Sequence, residues 1–134
     1  MLSGVCIHPG IMHMLSLCGH GDKILIADGN YPLSSKTGNS EKVYLGLRRG
    51  LPTVPQMLEV LCQEINIEKA EVMKPEGELP AIFEEFGAHL NGISLDGLDR
   101  YSFYQACCDP CLRLAIGTGE DRTFANILLT TGVA

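Results

Sequence analysis

The segment that most restricts the fold of this chain is Lys23-Ile24-Leu25-Ile26-Ala27, stopped by Asp28-Gly29-Asn30-Tyr31-Pro32. A short apolar run without polar alternation reads as a buried strand, and Asp-Gly and Pro are strong chain-turning signals. A chain with such a strand needs helices packed on its sheet. The remaining patterns supply them. Ile11 to Cys18 places Ile11, Met14, Leu15 and Cys18 at helical spacing, and Gly19 and Gly21 end that helix. Thr53-Val54-Pro55-Gln56 is a capping-box pattern, followed by Met57, Leu58, Leu61 and Ile65 at the spacing of a helix packed on a sheet.

Further strands are predicted over Val43 to Leu47, Ile67 to Met73, Leu112 to Ile116 and Asn126 to Thr130. Further helices are predicted over Leu79 to Leu90, with Ile82, Phe83, Phe86 and Leu90 inward, and over Asp99 to Cys107. This alternation predicts one α/β domain over residues 1–134, a central sheet packed by helices. A length of 134 residues and an apolar content of 46% suit one such core.

Charge narrows the function. The net charge is -6, and the ten Lys and Arg form no block longer than Arg48-Arg49, so a nucleic-acid partner is not expected. No apolar run approaches the roughly 18 residues that a membrane span needs. The N-terminus lacks the basic and apolar regions of a secretory signal, so a cytoplasmic location is expected. The six cysteines are then expected as thiols, with Cys6, Cys18 and Cys62 serving as small core residues.

Five places carry candidate chemistry. In Gly19-His20-Gly21-Asp22, two glycines leave the His20 imidazole open, and histidine moves protons near neutrality; the same residues also suit a plain helix-ending turn. Asp28 follows a buried strand, where polar side chains commonly face a ligand crevice. Its carboxylate could bind sugar hydroxyls, orient His20, or form the Asp-Gly turn. Arg100 and Tyr104 share one helix face and suit a polyhydroxylated ligand, while Tyr101 and Phe103 read as core. Asn126, opening the last strand, can both donate and accept. Cys107-Cys108-Asp109-Pro110-Cys111 contains C-x-x-C spacing, which fits a metal or redox module or thiols packed at a helix end. No second such pair exists to complete a metal set, so no metal site is assigned.

With these residues in place, the chain resembles the RbsD/FucU family of sugar mutarotases, nearer its fucose branch. The resemblance rests on Met14-Leu15 through Gly19-His20-Gly21-Asp22, Ile26-Ala27-Asp28-x-Asn30-Tyr31-Pro32, Leu51-Pro52 and Val54-Pro55-Gln56-Met57-Leu58. It continues through Arg100-Tyr101-x-Phe103-Tyr104, Thr118-Gly119-Glu120 and Asn126-Ile127-Leu128-Leu129. It implies an RbsD-like fold in ring-like homo-oligomers, typically decamers, that interconvert the α and β anomers of a free monosaccharide, L-fucose or a related pyranose. By the same resemblance His20 is the proton donor, and Asp28, Arg100, Tyr104, Asn126 and Met73 contact the sugar, with no cofactor. Phe124 stands where the family usually has a tyrosine, which keeps an apolar wall and removes a hydroxyl. Glu68 stands where the fucose branch has an aspartate. A sugar-binding module without catalysis on the same fold is the alternative that Phe124 raises.

Overall fold

The buried run at residues 23–27 is a central strand, flanked on both sides by other strands and covered on both faces. In the computed structural model, which describes residues 1–134, the order is α1 (Pro9–Leu17), β1 (Lys23–Ala27), β2 (Glu41–Tyr44), α2 (Val54–Glu64) and β3 (Ile67–Met73). It continues with α3 (Ile82–His89), β4 (Leu95–Leu98), α4 (Arg100–Cys107), β5 (Leu112–Gly117) and β6 (Ile127–Thr131). The six strands form one sheet in the order β2-β5-β1-β6-β3-β4. β6 runs antiparallel to β1 and β3, and every other pairing is parallel. This is the α/β domain that the sequence predicts.

Strand alternation divides the interior. Ile24, Ile26, Val72, Leu114, Ile116, Ile127 and Leu129 join the larger core with α1, α2 and α3. Leu25, Ala27, Met73, Ala115 and Leu128 face the other way, into a smaller core closed by Phe103 and Cys107 of α4 and by Tyr31 and Leu33. One face thus carries three helices and the other only one. The thinner side leaves room for a ligand beside α4.

Local chemistry sets the helix starts. Thr53 Oγ1 accepts from Gln56 N at 3.2 Å, and Gln56 Oε1 accepts from Thr53 N at 2.8 Å, the reciprocal capping box at α2. Asp99 caps α4 by accepting from Ser102 N at 2.9 Å. α1 begins two residues earlier than predicted because His8 is its cap, with Nδ1 accepting from Ile11 N at 3.2 Å and Pro9 in the first turn.

Other boundaries move for equally local reasons. β2 covers 41–44 rather than 43–47, since Gly46 turns the chain against the Thr118 carbonyl. α3 begins at Ile82 rather than Leu79, after Pro80, and Leu79 is exposed. β6 begins at Ile127, so Asn126 directly precedes the last strand instead of opening it. β4 was not predicted: Leu95-Asp96-Gly97-Leu98 is a four-residue edge strand with no apolar alternation to reveal it. Tyr101, read as core, is 81% exposed, whereas Phe103 is fully buried. Cys6 is buried, and Cys18 and Cys62 are only half-buried.

Candidate functional site

The carboxyl ends of β1, β3 and β4 and the start of β6 meet at one edge of the sheet, where polar side chains gather around a cavity of about 230 Å³. It is lined by Asp28, Asn30, Tyr31, Met73, Arg100, Tyr104, Thr123, Phe124 and Asn126. Six of the seven residues that the resemblance points to, Asp28, Met73, Arg100, Tyr104, Phe124 and Asn126, therefore converge. A cavity below the ~300–1,000 Å³ of drug-sized sites suits a single small ring.

Asp28 is the hub. Its Oδ1 accepts from Asn30 N at 2.9 Å and Tyr31 N at 3.0 Å, and its Oδ2 accepts from Ala125 N at 3.1 Å. The turn-forming and pocket-lining readings of this residue are both realised. Burial raises its pKa above the usual carboxylate value, and the three backbone N–H groups only partly offset that rise. Asn126 Oδ1 accepts from Asp28 N at 2.8 Å, which leaves the Asn126 amide nitrogen as a donor for the cavity.

The aromatic wall is equally fixed. Tyr31 meets Tyr104 and Phe103 edge-on, with ring centroids 5.5 and 6.2 Å apart, and donates its hydroxyl proton to the Lys36 carbonyl at 2.9 Å. Lys36 Nζ lies 5.7 Å from the Tyr104 ring centre. Phe124 takes a left-handed backbone, φ 55°. Its segment is fastened at both ends, by Ala125 N on Asp28 and by Arg122, which donates to the buried Glu120 carboxylate at 2.9 and 3.0 Å and also pairs with Glu85 of α3. A non-glycine residue holds such a conformation when its surroundings enforce it, and such residues gather at ligand sites.

His20 is not in this cavity. It lies at the amino end of β1, and the five residues of β1, at about 3.3 Å rise each, separate it from Asp28 by more than about 15 Å. Asp28 therefore does not orient His20 within one chain; Glu68 does. His20 Nε2 and Glu68 Oε2 are 2.9 Å apart. A carboxylate only accepts, so Nε2 is the nitrogen that carries the proton in this contact.

Glu68 reaches His20 because β3 bulges there: Ile67 pairs with Thr131 and Lys69 with Thr130, so Glu68 is the extra residue. Bulges re-aim side chains in this way. Both partners are about half exposed, so the pair adds little stability and its consequence is orientation. The sequence did not mark Glu68 as a histidine partner, because the bulge depends on pairing with β6. Nor did it single out Thr123 or the pocket roles of Asn30 and Tyr31, though the latter two stand in the same motif as Asp28.

The cysteine cluster divides. Cys107 is buried, and burial pushes its thiol up to about 12. Cys108 and Cys111 are exposed at the α4–β5 turn, where Cys111 N donates to Asp109. No group of three or more His, Cys, Asp or Glu side chains is arranged to hold a metal ion. No helix is long and apolar enough to cross a membrane.

Comparison with known proteins places this geometry. The model of the RbsD / FucU transport protein family matches residues 1–134. The D-ribose pyranase of Serratia proteamaculans is 32% identical over 142 residues, covering 99% of both proteins. The structure of Bacillus subtilis RbsD complexed with D-ribose superimposes with a TM-score of 0.87 at 26% identity, covering 100% of this chain and 99% of the other. The fucose mutarotase of Streptococcus pneumoniae in complex with L-fucose gives 0.82 at 25% identity, covering 96% and 94%.

Proposed function

The chain belongs to the RbsD/FucU family, and on that premise we propose that it is a monosaccharide mutarotase, acting on L-fucose or a related pyranose. The observation that carries this reading is the convergence of Asp28, Arg100, Tyr104, Asn126, Phe124 and Met73 on one cavity of monosaccharide size. Two relatives named for their sugars, a D-ribose pyranase and an L-fucose-bound mutarotase, support the substrate class and leave D-ribose as the rival substrate.

Anomer exchange needs a proton delivered to the ring oxygen and one removed from the anomeric hydroxyl. No nucleophile or nucleotide enters that chemistry. Arg100 and the Asn126 amide donate to sugar oxygens, Asp28 accepts from hydroxyls, and Phe124 and Tyr104 cover the apolar face of the ring. His20, held by Glu68, delivers the proton to the ring oxygen, and water or a carboxylate takes the one from the anomeric hydroxyl; such positioned transfer is worth about 10²–10⁴ in rate. Because His20 sits at the opposite edge of its own sheet, a second copy must bring it to the cavity. Leu17 and Val133 near His20 are 60% and 66% exposed, and Tyr101 beside Arg100 is 81% exposed, so a head-to-tail contact has apolar surface at both ends. Repeated contacts of that type form a ring when the rotation between copies closes.

Saturation-transfer NMR tests the activity. Added protein is expected to speed anomer exchange of L-fucose or D-ribose and leave at least one of galactose and rhamnose unchanged. Unaltered exchange across all four sugars would remove the activity. The position of His20 also favours a second, binding-only reading for an isolated chain, in which sugar binds and His20→Ala leaves exchange as it was.

A further inference from the structure

A second cavity, about 510 Å³, lies beside the sugar pocket along the same carboxyl edge of the sheet. The two share Asn30. Three loops meet there: the one after β1 (Gly29, Asn30), the one after β2 (Gly46 to Arg49) and the one after β5 (Gly119 to Asp121). Crevices outside the carboxyl ends of parallel strands are where α/β sheets place ligands.

The construction of the β2 loop makes this cavity specific. Leu51 N donates to the Arg48 carbonyl at 3.0 Å, and Gly50 in third position has φ 79°, the pattern of a type II turn with Arg48 in first position and Arg49 at its tip. The turn is clamped to the β5 loop, since Gly50 N donates to the Gly119 carbonyl and Gly119 N donates to the Pro52 carbonyl. A side chain at Gly119 would collide with the carbonyl oxygens of Arg48 and Leu51, so the contact requires glycine. Arg48 Nη1 donates to the Arg49 carbonyl at 2.9 Å, and neither arginine pairs with a carboxylate. In a chain with 16 acidic and 10 basic residues, two adjacent unpaired guanidinium groups on a fixed turn are a built concentration of positive charge. Of the two acids lining the cavity, Glu120 is already satisfied by Arg122 and backbone N–H groups, and only Asp121 opposes an anion.

We propose that the Arg48-Arg49 cleft is an anion subsite that takes a phosphoryl group, free or borne by a sugar phosphate. Guanidinium forks match phosphate oxygens bidentately, and a preformed turn loses little freedom on binding. Asn30 lines both the cleft and the sugar pocket, so the two adjoin, and a phosphorylated sugar is the ligand that would reach into both. The subsite does not depend on the mutarotase reading, since its test is binding.

Calorimetry on the full-length protein at low ionic strength, with inorganic phosphate and ribose 5-phosphate as separate probes and D-ribose as control, decides it. Both phosphoryl probes are expected to bind. In R48A/R49A their affinity is expected to fall about tenfold or more, with R48K/R49K restoring only part of the loss. Asp121→Asn, which removes the opposing charge, is expected to tighten both by about threefold. D-ribose affinity should stay within about twofold throughout. Ribose 5-phosphate binding tighter than phosphate, and weakened in Asn30→Ala, identifies the spanning ligand; equal affinities identify the free anion. Absence of phosphate binding by the wild type, or unchanged affinity in R48A/R49A, overturns the proposal.

Discussion

At Asp28, burial and hydrogen bonding act on one carboxyl group with opposite sign. Burial wins and its pKa is raised, so the folded chain holds the Asp28 proton more tightly than the unfolded one. Its contribution to stability therefore falls as pH rises from the ordinary carboxylate range through the raised value. Asp28→Asn keeps one acceptor and loses the other, which leaves Ala125 N or a turn N–H without a partner. The expected cost is about 1–3 kcal/mol, read by urea unfolding, together with weakened sugar binding. The His20–Glu68 pair is the reverse case, exposed and of little value to stability. His20→Ala should lower the anomer-exchange rate by about 10²–10⁴ with an unchanged unfolding midpoint. Glu68→Ala should fall between that variant and wild type, and its pH–rate profile should move. An unmoved profile would mean that Glu68 does not act through His20.

At the scale of the element, the segment from Thr118 to Asn126 is held as a unit. Glu120 is almost fully buried; burial raises its pKa, but the bonds from Arg122 outweigh this and the net pKa lies below the usual value of 4.5. A depressed carboxyl group stabilises the fold above its unfolded pKa and loses that contribution as pH falls through the folded value. Stability should accordingly drop below about pH 4.5. Arg122→Ala should flatten that drop, cost about 1–2 kcal/mol at neutral pH once screening of the half-exposed guanidinium is allowed for, and raise the sugar KM by freeing Phe124. Calorimetric melting from pH 3 to 7 measures the first two, and an unaltered acid limb in the variant would show that the Glu120–Arg122 bond is not the cause.

For the whole molecule, the separation of His20 from the cavity decides how the proposed mutarotase would have to be assembled. On the proposed reading, His20→Ala and Arg100→Ala are each expected to lose exchange and to regain it when refolded together, because some of the proposed interfaces then pair an intact His20 with an intact cavity. For random mixing the recovery is roughly a quarter of wild type. No recovery, with mixed oligomers shown by mass spectrometry, would place the whole site within one chain. Replacing the exposed Leu17 by Asp is expected to break the proposed assembly and abolish exchange together, read by light scattering and NMR on the same sample.

The sequence by itself determined the buried central strand, the capping box of α2, the inward residues of α3 and the membership of Asp28, Arg100, Tyr104 and Asn126 in a polar site. The first three are written in neighbouring residues through period, cap or turn chemistry, and the four polar residues are joined into one site by the family resemblance. The tertiary structure decided what pairing between distant segments controls. β4 exists because β3 offers it an edge, and Glu68 faces His20 because β6 forces a bulge. Phe124 turns left-handed because Asp28 and Arg122 fasten its loop. The physical reason is the same throughout: a strand's register and the meeting of loops at one sheet edge depend on residues tens of positions apart. For that reason Gly19-His20-Gly21 reads as a proton-transfer segment in the sequence, while only the fold shows that it stands at the opposite edge from the pocket.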